Sequence, residues 1–302
     1  MLFGRHAPRA TALSATRQAL WTLYKMKTRR NFLVVNVLLL LVVVYMSQRF
    51  RQKFVRVQGD CDSNWLMVDA PEHSQPICCK NERGGYAQAP CYAGMDVMSV
   101  MTSFKGAWAI PLSPLVFNYG SRMLGSNVDM SHVRLYVRRG LLYLSVMTLR
   151  LVVLYGGLGQ VEKGLVHLVR GHSSESCWYA PLRRGKLCPL GFDHSDHVVL
   201  LVSHYMAIPM FEWFALDVES AGPSLKRTLL RTWMILVSGM AAYLLVFTVS
   251  YFHTTLENLV GLFIAQGCVM IPLMLVTQDY FTSFKWLRLT NFVPPPEVKR
   301  GM

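Results

Sequence analysis

Charged residues are scarce in this sequence. They make up 16% of its 302 residues, whereas 52% belong to the hydrophobic set. A soluble domain carries about 25% charged residues, so the scarcity argues against an ordinary soluble fold. The apolar residues are concentrated in six blocks of 15 to 21 residues, about the length that crosses a hydrocarbon core as a helix.

The first 31 residues contain no acidic side chain. They hold seven Lys or Arg, and with their Ser, Thr and Ala they are similar in composition to a mitochondrial transit peptide. We favour a basic cytosolic tail instead, because four of the cations abut the first apolar block. The net charge of +14 lies mostly beside apolar blocks, so we expect no nucleic-acid partner.

The six blocks predict an all-α, polytopic membrane helix bundle. They cover residues 32–46, 97–117, 141–158, 198–216, 232–252 and 259–276. The termini and the loops after spans 2 and 4 are basic, so the positive-inside rule places both termini in the cytosol. The predicted organisation is a tail (1–31), a membrane domain (32–277) with lumenal loops 47–96 and 159–197, and a cytosolic tail (278–302).

Cys-x-x-Cys pairs of the zinc-ribbon type are absent, as are N-x-Ser/Thr glycosylation sites. Six of the seven cysteines fall in the two predicted lumenal loops, where disulfides can form. They are Cys61, Cys78, Cys79, Cys91, Cys177 and Cys188. Six cysteines allow fifteen pairings, so the sequence assigns none.

Two polar segments adjoin the predicted spans on the predicted lumenal side. One, at residues 188–197, leads into span 4 and ends at His197; the other, at residues 251–257, joins spans 5 and 6 and contains His253. A pair of imidazoles can supply the nucleophile and the acid that cleavage of a phosphate ester or anhydride needs. Glu257, four residues after His253, can orient its imidazole. For a single histidine at a helix end, a solvated side chain is the commoner role; the functional interpretation rests on the pair.

These segments resemble the signatures of a known family. The run Gly-Phe-Asp-x-Ser-x-His at residues 191–197 resembles the first signature of the fat storage-inducing transmembrane protein family. Tyr-Phe-His at residues 251–253, followed by Glu257 and Gly261, resembles the second. The resemblance covers residues 170–277 and the layout of the amino-terminal half. It implies six spans, cytosolic termini and a relation to lipid phosphatases.

The resemblance implies an endoplasmic reticulum membrane enzyme that cleaves the diphosphate of fatty acyl-coenzyme A on the lumenal side. Its products would be acyl 4′-phosphopantetheine and adenosine 3′,5′-bisphosphate, and its activity would support lipid-droplet formation and lipid homeostasis. The implied roles are nucleophile for His253, acid for His197, and support for Glu257, Asp193 and Ser195, with no metal or other cofactor. The implied partners are fatty acyl-coenzyme A and membrane lipids, including diacylglycerol and triacylglycerol.

The chain departs from that family at one position. It reads Ser-Asp-His at residues 195–197, where the family usually reads Ser-Gly-His. A glycine lets the backbone approach a phosphate closely, whereas Asp196 adds bulk and a negative charge. We expect this departure to reduce the activity or to change the substrate.

Four cations are candidates for holding the diphosphate. Lys105 and Arg150 each lie about eight residues, or ~12 Å, inside the lumenal ends of predicted spans 2 and 3, and intramembrane charges usually face the bundle interior. The alternatives are pairing with a buried acid such as Glu212, or snorkelling to the interface. Arg183 and Arg184 in the second lumenal loop are a further option, unless they form a solvated loop face.

Residues His204 and Glu212 share one side of span 4 with His197. A polar stripe inside a span usually faces protein or a water-filled cavity. It would either line an entrance for the acyl substrate or hold neighbouring helices together.

Three other functions compete with the diphosphatase. A membrane di-iron oxygenase is suggested by His167-x4-His172 and His194-x2-His197, although such sites need more histidines than these. A non-catalytic scaffold could bind neutral lipid. A transporter would also place charges inside its spans, but no clear internal repeat supports it.

Overall fold

The computed structural model describes residues 7–49, 54–58, 66–68, 77–81, 95–123, 130–158, 195–219, 224–251, 253 and 255–296. These residues form seven α-helices, two short 3-10 helices (Lys285–Leu287 and Leu289–Asn291) and a small sheet. The helices are α1 (Ala7–Arg49), α2 (Met95–Thr102), α3 (Phe104–Met123), α4 (Met130–Leu151, continued by a π-helix over Val152–Leu158), α5 (Asp196–Val202 and Ile208–Glu219, joined by a π-helix over Ser203–Ala207), α6 (Leu225–Tyr251) and α7 (Thr255–Ala265 and Ile271–Thr277, joined by a π-helix over Gln266–Met270).

A small antiparallel sheet lies within predicted lumenal loop 47–96. Its strands are β1 (Phe54–Gln58), β2 (Leu66–Val68) and β3 (Ile77–Asn81), in the order β1-β3-β2. Val57 is opposite Cys78 across β1 and β3. The sequence predicted only a polar loop here, so the sheet is an addition to the helices of the described residues.

Among the residues that the structure describes, four helices are long and apolar enough to cross a membrane, judged by length and composition. They are Ala15–Arg49, Asp196–Glu219, Leu225–Ser250 and Thr255–Thr277. These helices indicate a multi-pass membrane protein, and they coincide with predicted spans 1, 4, 5 and 6. Predicted span 2 corresponds to α2 and α3 together, and predicted span 3 corresponds to α4. The count of six spans and the cytosolic termini stay predictions.

Helix α5 is the most enclosed of the four. In the most apolar stretch of α5, 89% of the residues are buried, against 44% in α6, 39% in α7 and 17% in α1. Leu201, Tyr205 and Ile208 are completely buried along it. In lipid, apolar burial does not itself drive helices together, so close packing and polar contacts decide how α5 is held.

Contacts of α1 define the two ends of the bundle. Lys27 Nζ lies 2.9 Å from the carboxylate of Asp217, near the carboxyl end of α5. Ser47 Oγ donates a hydrogen bond of 3.3 Å to the carbonyl oxygen of Val249, near the carboxyl end of α6. Lys27 and Ser47 are 20 residues apart, or ~30 Å along a helix, which matches a hydrocarbon core. We call these the Asp217 end and the His253 end.

Residues 278–296 fold back onto the bundle. Helix α7 ends in a Schellman motif, in which the backbone N–H groups of residues 279 and 280 donate to carbonyls of the last turn at 3.1 Å each. Asp279 adopts the left-handed conformation there, at φ 60°, and its Oδ1 accepts a hydrogen bond of 3.1 Å from the N–H of Leu289. Leu289, Phe292 and Val293 are buried, so the described part of the predicted cytosolic tail is packed rather than extended.

Candidate functional site

His253 lies between α6 and α7, where the chain reverses direction. Its Nδ1 is 3.7 Å from Oε2 of Glu257, one helical turn later, and both residues are buried, at 9% and 5% exposure. This separation exceeds a hydrogen bond, but catalytic hydrogen bonds are often long without substrate. The carboxylate that the sequence predicts to orient the imidazole therefore does lie beside it.

Asn258 holds the backbone of His253 in place. Its side-chain Nδ2 donates to the carbonyl oxygen of His253 at 3.1 Å and to Ser47 Oγ at 2.9 Å. Since Ser47 in turn donates to Val249, this amide ties α1, α6 and α7 together. The sequence analysis missed both Asn258 and Ser47. One signal could have identified Asn258. It is an amide side chain within an apolar helix, and such polar side chains usually form hydrogen bonds to neighbouring helices.

The amino terminus of α5 packs closely against the start of α7. Ser195 caps α5, its Oγ accepting a hydrogen bond of 3.4 Å from the N–H of Val198. The N–H of Ser195 donates to the carbonyl oxygen of Glu257 at 3.4 Å. A Cβ at Gly261 would lie 2.9 Å from the carbonyl oxygen of Ser195, so only glycine allows this approach.

This packing places His197 and His253 at the same end of the bundle. His197 is the second residue of α5 and half-buried. Asp196 is the first, where a carboxylate favours the helix by ~0.3–1 kcal/mol through the macrodipole. Asp196 therefore has a structural role that is independent of any ligand.

The two candidate intramembrane cations lie in different surroundings. Lys105 is the second residue of α3, just past a bend at Ser103, and it is exposed. The bend divides predicted span 2 into α2 and α3. The depth of ~12 Å predicted for Lys105 assumed one continuous helix, so it does not apply. Arg150 is buried and lies within electrostatic range of His204 and Cys268. Of these two cations, Arg150 is buried inside the helix bundle and Lys105 is not.

A buried charge cluster joins α4 to α5 near the Asp217 end. Arg139 is completely buried, with Nη2 at 2.9 Å from Glu219 and Nε at 3.5 Å from Glu212. The hydroxyl of Tyr143 donates to Glu212 at 2.6 Å, and that of Tyr136 donates to Glu219 at 3.0 Å. We call these five residues the Arg139 cluster. Its guanidinium, rather than Lys105 or Arg150, is the ion-pair partner of Glu212.

His204 makes a second polar contact between helices. Its Nδ1 lies 2.9 Å from the carbonyl oxygen of Ala107 in α3, and its side chain is almost completely buried. Together with Glu212, it shows that the polar stripe on α5 holds neighbouring helices together.

Several predicted site residues lie outside the described residues. They are Asp193, Arg183 and Arg184, the oxygenase candidates His167, His172 and His194, and Cys61, Cys91, Cys177 and Cys188. Among the residues that the structure does describe, no group of three His, Cys, Asp or Glu could hold a metal ion. Cys268 is a free thiol.

The comparisons with known proteins give one finding. The chain matches no protein-family model, no curated protein and no solved structure. The resemblance to the fat storage-inducing transmembrane proteins therefore rests on the two short motifs around His197 and His253 and on their order along the chain.

Proposed function

We propose that this protein is a fatty acyl-coenzyme A diphosphatase of the endoplasmic reticulum membrane. The observation that carries the proposal is the His253–Glu257 pair at 3.7 Å, at the same end of the bundle as His197. A carboxylate beside Nδ1 leaves Nε2 of the imidazole for nucleophilic attack. The second histidine supplies the acid that the departing phosphate requires.

The proposed reaction has two steps. Nε2 of neutral His253 forms a bond to one phosphorus of the diphosphate, the P–O anhydride bond breaks, and protonated His197 gives its proton to the leaving oxygen. Water then attacks the phosphohistidine, neutral His197 takes up a proton from that water, and the P–N bond breaks. One water is consumed, and the products are acyl 4′-phosphopantetheine and adenosine 3′,5′-bisphosphate.

The charge distribution supports a lumenal position for this site. At the Asp217 end, one carboxylate pairs with three cations, Lys27, Arg227 and Arg231. An excess of positive charge is typical of the cytosolic side of a membrane protein. The His253 end would then face the lumen, and its substrate would enter with the acyl chain in the membrane.

The test is the release of adenosine 3′,5′-bisphosphate from oleoyl-coenzyme A by protein purified in detergent, followed by mass spectrometry. Wild type should release it, and His253→Ala and His197→Ala should not. His132→Ala, in the first turn of α4 and remote from the site, is the matched control and should keep the activity. Undiminished release by a folded His253→Ala protein would contradict the proposal.

A second candidate is a non-catalytic scaffold that binds neutral lipid, and Asp196 favours it. A carboxylate beside His197 opposes the approach of an anionic diphosphate. A scaffold would release no nucleotide when folded, yet it would retain radiolabelled diacylglycerol or triacylglycerol through purification. Its lipid retention would also be unchanged in His253→Ala.

A further inference from the structure

A large groove opens near the Asp217 end of the bundle, away from His197 and His253. Its volume is about 720 Å³, within the ~300–1,000 Å³ range of small-molecule sites. One wall is α4, through Leu141, Ser145 and Leu149, and the opposite wall is Val276 of α7 with Phe292 of the folded-back segment. The groove is therefore walled chiefly by apolar side chains from three separate parts of the chain.

The length of the groove matches one leaflet of a bilayer. Its lining on α4 runs from Arg138 to Leu149, which are eleven residues apart, or ~16 Å at 1.5 Å per residue. A hydrocarbon core is ~30 Å thick, so this is about half of it. A single acyl chain from one leaflet would fill such a groove.

The groove has a basic rim. Arg138 and Lys285 line it, and none of the described residues in its lining is acidic. Nη1 of Arg138 donates a hydrogen bond of 2.6 Å to Oδ1 of Asn291, which holds the folded-back segment against α4. Trp286 also lines the groove and is 68% exposed. Tryptophan at such a position is typical of a membrane interface, at the level of lipid headgroups.

We propose that this groove binds one phospholipid with an anionic headgroup. Its acyl chain would lie between α4 and residues 281–292, and its phosphate would lie at Arg138 and Lys285. The charge complementarity selects an anionic headgroup, because a zwitterionic one carries its own cation to neutralise the phosphate. The site is independent of the proposed diphosphatase, since it uses none of the residues at the His253 end.

Fluorescence quenching of Trp286 tests this proposal in vesicles of phosphatidylcholine. A small fraction of the lipid is replaced by phosphatidylglycerol or phosphatidylcholine with brominated acyl chains, which quench tryptophan on contact. The signal of Trp286→Phe is subtracted to isolate Trp286 from the six other tryptophans. At equal fractions, brominated phosphatidylglycerol should quench Trp286 more than brominated phosphatidylcholine. Lys285→Ala should weaken this preference roughly fivefold, the effect of about 1 kcal/mol per cation.

A matched pair of variants separates groove binding from general lipid contact. Ser145→Phe fills the groove from its α4 wall and should abolish the excess quenching. Leu144→Phe adds a ring at the next residue, which does not line the groove, and should leave the quenching unchanged. Release of adenosine 3′,5′-bisphosphate by the Ser145→Phe protein should equal that of wild type, so the two proposals can fail separately.

Three outcomes would overturn the lipid site. Equal quenching by the two brominated lipids would mean that only bulk lipid touches Trp286. Quenching that persists in Ser145→Phe would place the lipid outside the groove. Absence of quenching in a protein that elutes as a dimer would assign the groove to a second copy of the chain.

Discussion

The imidazole Nδ1 of His253 lies 3.7 Å from the carboxylate of Glu257, one turn further along the chain. We expect Glu257→Gln to lower the kcat for oleoyl-coenzyme A by about 10²-fold or more, the usual contribution of a positioned acid or base. KM should change little, because Glu257 orients the nucleophile rather than binding substrate. Glu257→Asp keeps the charge and should retain more of the kcat than Glu257→Gln. Equal losses in both variants would argue for a purely structural carboxylate.

Replacement of Asp196 tests the departure from the resembled family. Asp196→Asn removes the negative charge beside His197 and should lower KM for the anionic substrate roughly fivefold, from about 1 kcal/mol of repulsion. Asp196→Gly should do the same and also improve backbone access to phosphate. Both variants should melt at a lower temperature, because the helix loses a carboxylate at its amino terminus. An unchanged KM in Asp196→Asn would show that Asp196 does not face the substrate.

Gly261 sets the distance between α5 and α7. In Gly261→Ala, the new Cβ would lie 2.9 Å from the carbonyl oxygen of Ser195. Because this oxygen belongs to the backbone, relieving the clash would require the two helices to move apart. We expect a loss of about 1–3 kcal/mol, the usual cost of overpacking, measured as the free energy of unfolding in mild detergent. Gly267→Ala is the control on the same helix, because nothing lies within 4 Å of its added Cβ. It should be neutral or slightly stabilising.

Within the Arg139 cluster, loss of one ion-pair partner should be costly. Glu219→Ala leaves the fully buried guanidinium of Arg139 without its 2.9 Å partner. We expect destabilisation of about 3–5 kcal/mol, as for other broken buried pairs. The double variant Arg139→Met with Glu219→Ala removes both charges and should be less destabilised than the sum of Arg139→Met alone and Glu219→Ala alone. Strict additivity would show that the two side chains are not coupled.

Asp279 should control the attachment of the folded-back segment. Asp279→Ala keeps a side chain in the left-handed region at φ 60°, at a cost of ~1–2 kcal/mol, and loses the hydrogen bond to Leu289. Trypsin should then cleave after the exposed Lys285 and Arg288 faster than in wild type. Asp279→Asn tolerates that conformation and keeps an acceptor oxygen, so its cleavage rate should stay near that of wild type. Equal rates in all three proteins would contradict this role.

Long apolar runs without charge were the easiest features to predict. The predicted spans 5 and 6 coincide with α6 and α7 because nothing in those segments competes with a membrane helix. Helix α1 instead begins at Ala7, inside the predicted basic tail, because Lys, Arg and Ala are all good helix formers. The sheet at residues 54–81 was missed, since three short strands pair across the chain and leave no long periodic pattern.

The candidate site was predictable only where its residues are close in sequence. Glu257 is one turn from His253, so helical spacing is enough to pair them. Arg139 was assigned to a basic loop, because a cation beside an apolar block usually marks the end of a span. Its partners lie on another helix, and only tertiary packing selects which buried acid a given cation meets.

The Arg139 cluster also bears on how the protein is built in the membrane. Translation delivers α4 before α5, so Arg139 emerges from the ribosome ahead of Glu212 and Glu219. A lone guanidinium in lipid costs ~2.5–3.5 kcal/mol, so we expect the amino end of α4 to stay at the bilayer surface during that interval. When residues 196–219 arrive, Glu212 and Glu219 supply the counter-ions for Arg139, and we expect α4 to reach its final position only then. We therefore expect the two helices to insert as one unit, which is completed when α5 is made.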